Sequence, residues 1–545
     1  MLLSLITGVL ALVPGNALAG LVQKPGLALP TRAFTDREVV RQMHKRSYDA
    51  YRKYAFGHDD LRPLSKTFAD TRNGWGASII DALTTNIIMN FTDYVDEAIK
   101  FASNIDFSRS KTDSSVSVFE TTIRYVGGLL SAYELSGNQY PVLVKKAQEV
   151  ADKLLYAFSD QHPIPHGYVD FSTNEPDLSR LITNIAEVGT LTLEWSVLSK
   201  YTANPIYRTL SEQAVIHIAN NAKPLPGLPA QLINPASGEP INGYVTWGGG
   251  SDSYLEYLIK YPRLSQTDNS VFVNNWVTAV DSSITHLAKR TTIGNHLYLG
   301  DINDSGEFLH VGSHLACFYG GNWILGGRLL DNDTIVQYGL QLTDGCWNTY
   351  ESTATGIGPE AFAFKSEDGD YIGYDYAGNR MEPDSSQESF YDKNGYYITQ
   401  SSYLLRPEVL ESNFYAWRAT GDSKYYERAL AAVGSMKKHL ATDEAYAGIQ
   451  DVNNATSAKN DHMESFWFAE VLKYLYLTFD DPNHISLDEY VFNTEAHPLK
   501  APLAKGKVAS PTILPPGPQF VAQGVDEDTP LPEISPISFE VEEWV

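Results

Sequence analysis

Apolar residues recur every three to four positions over most of the chain, and Asn, Gly and Pro interrupt them at short intervals. That is the period of helices with one buried face. The pattern predicts a helix over 36–54, one or two over 77–105 with a break near Asn90, and helical pairs over 119–136 with 142–158 and 181–201 with 205–221. Further helices are predicted over 253–260, 271–290, 314–330, 334–350, 407–420, 423–440 and 464–479. Only short pieces such as 244–247 have the character of strand. Helix-turn-helix units without long alternating strands specify an all-α fold. No repeat of fixed length is visible, which argues against a regular solenoid. A ring of helical hairpins closed on itself is the expected architecture.

The two ends read differently. Residues 2–14 are apolar and Ala17-Leu18-Ala19 has the small-x-small form of a signal cleavage site. We therefore expect a signal peptide over 1–19, a lead-in over 20–35, and a mature chain without a membrane span. Beyond 501, Pro, Gly and acidic residues replace the periodic pattern, and 501–545 is expected to be an acidic, Pro-rich, disordered tail. A formal net charge of −25 argues against a nucleic-acid partner, which requires clustered Lys and Arg. Export agrees with four Asn-x-Ser/Thr acceptors, Asn90, Asn303, Asn332 and Asn454. In an oxidising compartment, Cys317 and Cys346, the only cysteines, most simply form one disulfide.

Candidate chemistry gathers where carboxylates sit among aromatic and apolar residues, which is costly unless they are paired or used. In 405–412, Leu-Arg-Pro-Glu-Val-Leu-Glu-Ser, Pro407 suits the start of a helix. Glu408 then falls in the first turn, where the helix dipole and Arg406 favour its charged form, as a base requires, and Glu411 follows on the same face. Glu120 lies between Phe119 and Ile123, apolar neighbours expected to raise its pKa, with Arg124 four residues on. Asp252 follows three glycines in the position of a helix N-cap. Glu464 and Glu470 bracket Phe466-Trp467-Phe468. Thirty-three Tyr and nine Trp would suit sugar stacking, although such rings also fill ordinary cores.

Eight ordered segments carry a resemblance: Gly74-Trp75-Gly76-Ala77-Ser78 leading to Asp81-Ala82-Leu83, Phe119 to Arg124, Ala186-Glu187 through Leu193-Glu194-Trp195, Asp252-Ser253, His314 to Phe318, Leu405 to Ser412, Glu464-Ser465-Phe466, and Phe492 to Pro498. Together they make residues 39–498 resemble the class I α-1,2-mannosidases, glycoside hydrolase family 47, in particular the fungal secreted branch. The resemblance implies a single (α/α)7 barrel over 36–500, plugged by a small β-hairpin carrying Asn493-Thr494-Glu495. It also implies removal of α-1,2-linked mannose from high-mannose N-glycans with inversion, dependence on Ca2+, and a monomer that is secreted or held in the secretory-pathway lumen.

Carried over residue by residue, the catalytic set is Glu120, Asp252 and Glu408, with Glu120 as proton donor, Glu408 as base and Asp252 in support. The resemblance implies that Thr494 binds the metal and that Glu187, Glu411, Glu470 and Glu495 hold its waters. Phe466 would lie beneath the terminal mannose, with Arg124, Arg406 and His314 beside it. Two positions depart from the family pattern: Thr84 stands where many members have Asp, and Gly250 stands where single-mannose trimmers have Arg. The small Gly250 implies a roomy cleft and broad trimming. The alternative is a glycan-binding protein of the same fold with little or no hydrolysis.

Overall fold

A computed structural model describes residues 22–159, 163–370, 373–374, 380–381, 383, 385–503, 511–524, 529, 532 and 534. The expected signal peptide lies outside them. Fourteen helices form two concentric rings. The inner ring consists of α2 (Ala77–Ile88), α4 (Gly127–Leu135), α6 (Thr192–Thr202), α8 (Asp252–Ser265), α10 (Tyr319–Leu329), α12 (Glu408–Thr420) and α14 (Leu472–Phe479). The outer ring consists of α1 (Ala33–Tyr54), α3 (Thr92–Ala102), α5 (Pro141–Leu154), α7 (Ile206–Asn220), α9 (Val271–His286), α11 (Asp333–Glu351) and α13 (Ser423–His439). Each inner helix packs on its inner neighbours and on one outer helix: α2 on α3, α4 on α5, α6 on α7, α8 on α9, α10 on α11, α12 on α13 and α14 on α1. The α14 end, with the turn that precedes it, meets α2 and closes the ring.

Sequence explains the two rings. Inner helices are buried almost all round, as α2 and α12 are, whereas outer helices such as α3 and α5 keep an exposed polar face. One continuous apolar core runs between the rings. The break near Asn90 falls as expected, with Asn90 itself at a φ of 57° between α2 and α3.

Several predicted elements are corrected. The helix expected over 181–201 is two pieces: Asn184 caps Ile185–Gly189 by accepting the Glu187 N–H, and Thr190 leaves helical geometry before α6 begins. Residues 244–247 form no strand, only a bridge from Val245 to Ile302. The helix expected from 407 begins at Glu408, with Pro407 as its cap. The helices expected over 119–136 and 464–479 are interrupted by π-helical turns, Thr121–Val126 and Trp467–Val471. Such turns mark functional sites in many helices, and both lie where the inner wall carries candidate residues. Helix Ser385–Asn394 has too few buried positions to give a periodic signal. The described strands are two to four residues long and pair in small antiparallel sheets.

One of these, Tyr490–Phe492 with Pro498–Lys500, is a hairpin whose turn enters the barrel. Five inner-wall segments hold that turn: Thr84 on α2 pairs with His497, Asn493 donates to the Ile123 carbonyl and to Glu194 on α6, Tyr257 on α8 accepts the Thr494 N–H, and Lys473 on α14 donates to the Ala496 carbonyl. The approach is close enough that a Cβ on Gly127 would lie 2.6 Å from the Asn493 amide nitrogen. Cys317 and Cys346 form a disulfide joining the segment before α10 to α11. Asn90, Asn332 and Asn454 are exposed, and Asn303 is half-buried with its amide on Glu307.

Candidate active site

The hairpin turn forms part of the floor of a cavity of about 570 Å³ within the inner ring. Glu120, Arg124, Glu187, Asp252, Arg406, Glu408, Phe466, Glu470, Thr494 and Glu495 all line it. These residues span most of the sequence, and the closed ring is what brings them together. His314 and Glu411 do not line the cavity; both are buried behind it.

Glu408 opens α12. Its Oε2 lies 2.6 Å from His314 Nδ1, whose other ring nitrogen is 2.8 Å from the Tyr350 hydroxyl. Burial pushes the Glu408 carboxyl up, but the His314 hydrogen bond and Arg406 outweigh it and hold the pKa below the usual range. Arg406 is in turn fixed by an ion pair with the buried Glu360.

Glu120 departs from expectation. Burial alone would raise it, but Arg124 Nε at 2.6 Å and Arg72 Nε at 3.3 Å bring it down to about 2. Arg72 lies in the loop before α2, and its approach has no signal in the local sequence. The pair with Arg124 is also not the exposed ion pair of an ordinary helix, since the Arg124 side chain is only 5 % exposed.

Asp252 is the first residue of α8 rather than its cap, and Oδ1 accepts the Ser253 N–H at 2.8 Å. Burial, reinforced by the negative charges of Glu256 and Glu408, pushes it up to about 7. Of the three expected catalytic carboxyls it is the one that holds a proton near neutrality.

Around Thr494 the chemistry is dense in oxygen. Glu495 and Glu470 are buried and pushed well above the usual carboxylate range by burial, as is Glu411, up to about 8. Glu187, hydrogen-bonded by Thr183 at 2.6 Å, is raised to about 7 by burial. Arg124, paired with Glu495 and Asp81, and the buried Lys260 supply positive charge, while burial lowers Lys473 to about 7, so these acids are left short of compensation. Oxygen donors beside undercompensated carboxylates fit a hard divalent cation. Glu194 on α6, raised to about 8 by burial, accepts the Tyr257 hydroxyl at 2.6 Å and the Asn493 amide at 2.8 Å, which ties the Thr494 turn to the wall. Tyr257 and Glu194 carried no functional expectation, because apolar periodicity reads both as core.

Among the described residues, one other group could bring metal-ligand atoms together: Asp60, His462 and Glu464. Although burial lowers His462, Glu464 and Asp60 outweigh it and raise the imidazole to about 9. The protonated ring supplies the positive charge between the two acids. Among the described residues no helix is long and apolar enough to cross a membrane.

Residues 43–501 match the model of glycosyl hydrolase family 47. The chain belongs to that family. A solved α-1,2-mannosidase from Trichoderma reesei superposes with a TM-score of 0.81 at 36 % identity, covering 86 % of this chain and 99 % of that one. A probable mannosyl-oligosaccharide α-1,2-mannosidase 1B of Aspergillus clavatus is 37 % identical over 522 residues, 90 % of this chain and 99 % of the relative. The mannosyl-oligosaccharide α-1,2-mannosidase 1B of Aspergillus oryzae is 38 % identical over 508 residues, 87 % of this chain and 96 % of the relative. This family 47 chain is thus a glycoside hydrolase with the (α/α)7 barrel, and its ring of seven inner and seven outer helices is complete.

Proposed function

We propose that the chain is a calcium-dependent exo-α-1,2-mannosidase that trims terminal α-1,2-linked mannose from high-mannose N-glycans with inversion, in the secretory-pathway lumen or after secretion. The observation that carries the reading is the convergence of Glu408 with its His314 partner, the proton-holding Asp252, and the Thr494 turn on one cavity. A cavity of about 570 Å³ falls within the ordinary range for ligand sites.

Inversion needs an acid on one side of the glycosidic bond and, on the other, a base that activates water. Glu408, held ionised, is the base: its free oxygen takes the proton of the attacking water while His314 fixes the other. Asp252 carries the transferable proton at neutral pH and delivers it to the departing glycosidic oxygen. This revises the expectation that Glu120 is the donor, because two guanidiniums hold Glu120 ionised. Its negative charge instead stabilises the positive charge that develops on the sugar ring. Phe466, with the Arg124 guanidinium 5.9 Å from its ring centre, offers the terminal sugar an apolar platform. Thr494 would hold the calcium through its hydroxyl and carbonyl oxygens, with Glu187, Glu411, Glu470 and Glu495 orienting bound waters. When bound, the ion supplies a positive charge that orients sugar hydroxyls at the floor.

Hydrolysis of mannobioses differing only in linkage tests the reading. Release from the α-1,2 isomer, with the α-1,3 and α-1,6 isomers cleaved at least about a hundredfold more slowly, is expected. Binding of the α-1,2 isomer without release would return the glycan-binding alternative.

A further inference from the structure

Among the described residues, the cavity has one lining residue from far outside the barrel: Ile534, in the C-terminal segment. Its Cδ1 lies 3.2 Å from the position that a Cβ on Gly250 would take, two residues before Asp252. The room that Gly250 leaves is therefore occupied by another part of the same chain. Ile534 also packs on the small apolar cluster of Ile182, Leu232 and Ile241, separate from the main core. Earlier parts of the segment are fastened to the barrel as well. The Thr512 and Leu514 N–H groups donate to Asn274 and Thr278 of α9, and those of Gln523 and Gly524 donate to the carbonyls of Pro240 and Ile241. Gly524 thus bonds the backbone of a residue in the same small cluster on which Ile534 packs.

We propose that Ile534 is a specificity-determining residue: seated against Gly250, it fills the outer part of the cleft and disfavours branched oligosaccharides while leaving the innermost sugar positions open. This rests on the mannosidase reading and narrows the broad trimming that Gly250 alone implies. A side chain that competes for the rim lowers the apparent affinity of any substrate reaching it by the fraction of time it is seated. Seating for nine-tenths of the time costs about tenfold.

The test compares three forms: the full chain, the full chain carrying Ile534→Ser, and a chain ending at Gly524. Each is assayed on α-1,2-mannobiose and on a nine-mannose branched oligosaccharide. Both altered forms should raise kcat/KM on the oligosaccharide by about three- to tenfold and remove further mannoses in the same time, with mannobiose hydrolysis changed less than about twofold. Unchanged oligosaccharide kinetics in both forms, with mannobiose hydrolysis intact, would overturn the role of Ile534 alone. Absence of mannobiose hydrolysis in all three forms would overturn the mannosidase reading and this inference with it.

Discussion

His314 Nδ1 lies 2.6 Å from Glu408 Oε2, with Glu408 at the cavity wall and His314 buried behind it. An ionised carboxylate can only accept, so Nδ1 carries the proton, and Nε2 lies 2.8 Å from the Tyr350 hydroxyl. The pair holds Glu408 charged and fixes which of its oxygens is free for water. His314→Phe removes the donor that lowers the Glu408 pKa. The base form then survives to a less acidic limit, and the acidic limb of kcat/KM against pH should move upward by about one unit. Glu408→Gln should cost about 10²- to 10⁴-fold in kcat, with the fold intact by circular dichroism.

As the proposed acid, Asp252 should set the opposite limb. Its carboxyl is pushed up to about 7 by burial and by nearby negative charge. An acid with that pKa loses its proton as pH rises through neutrality, so kcat/KM should fall on the alkaline side with an apparent pKa near 7. In Asp252→Asn the limb should disappear and kcat should drop about 10²- to 10⁴-fold. A limb that persists in the variant would show that another group holds the proton.

The helix pairs were legible from their 3.6-residue period, because each buries one face or all of itself. Ring closure was less so, since it depends on α14 meeting α2 from the far end of the chain. Glu408 and its charged state could be argued from Arg406, Pro407 and the first turn alone. The state of Glu120 could not: besides Arg124, four residues on, it depends on Arg72, 48 residues away and in a loop. Thr494 drew notice only through the resemblance, since in isolation it is one residue of a turn. The contacts that hold its turn, from Tyr257 to the Thr494 N–H and from Glu194 to Asn493, are long-range polar bonds on residues that periodicity reads as core.

Those contacts make a prediction. Tyr257 accepts the Thr494 N–H at 3.1 Å and donates to Glu194 at 2.6 Å, so it orients the proposed metal-binding threonine without touching the metal. Tyr257→Phe keeps the ring and removes both bonds. Calcium affinity, read by calorimetric titration, should fall about 10- to 100-fold. An unchanged affinity would mean that the hairpin alone orients Thr494.

Metal removal should give the stability of the protein an unusual dependence on pH. Glu411 has its folded pKa raised to about 8 by burial, so between the ordinary carboxylate range and pH 8 the folded state binds more protons than the unfolded one. Stability then falls as pH rises through that window. In chelator the melting temperature should therefore be higher at pH 5 than at pH 8. Calcium should raise it most at pH 8, through a stabilisation set by mass action that reaches about 2.7 kcal/mol at a hundred times its Kd.

The most direct measurement follows the anomeric proton of released mannose by NMR as the full chain acts on α-1,2-mannobiose, first in chelator and then after calcium is restored. The account predicts no release in chelator, and the β-anomer appearing first once calcium returns. Release of the α-anomer first, or hydrolysis indifferent to chelation, would contradict it.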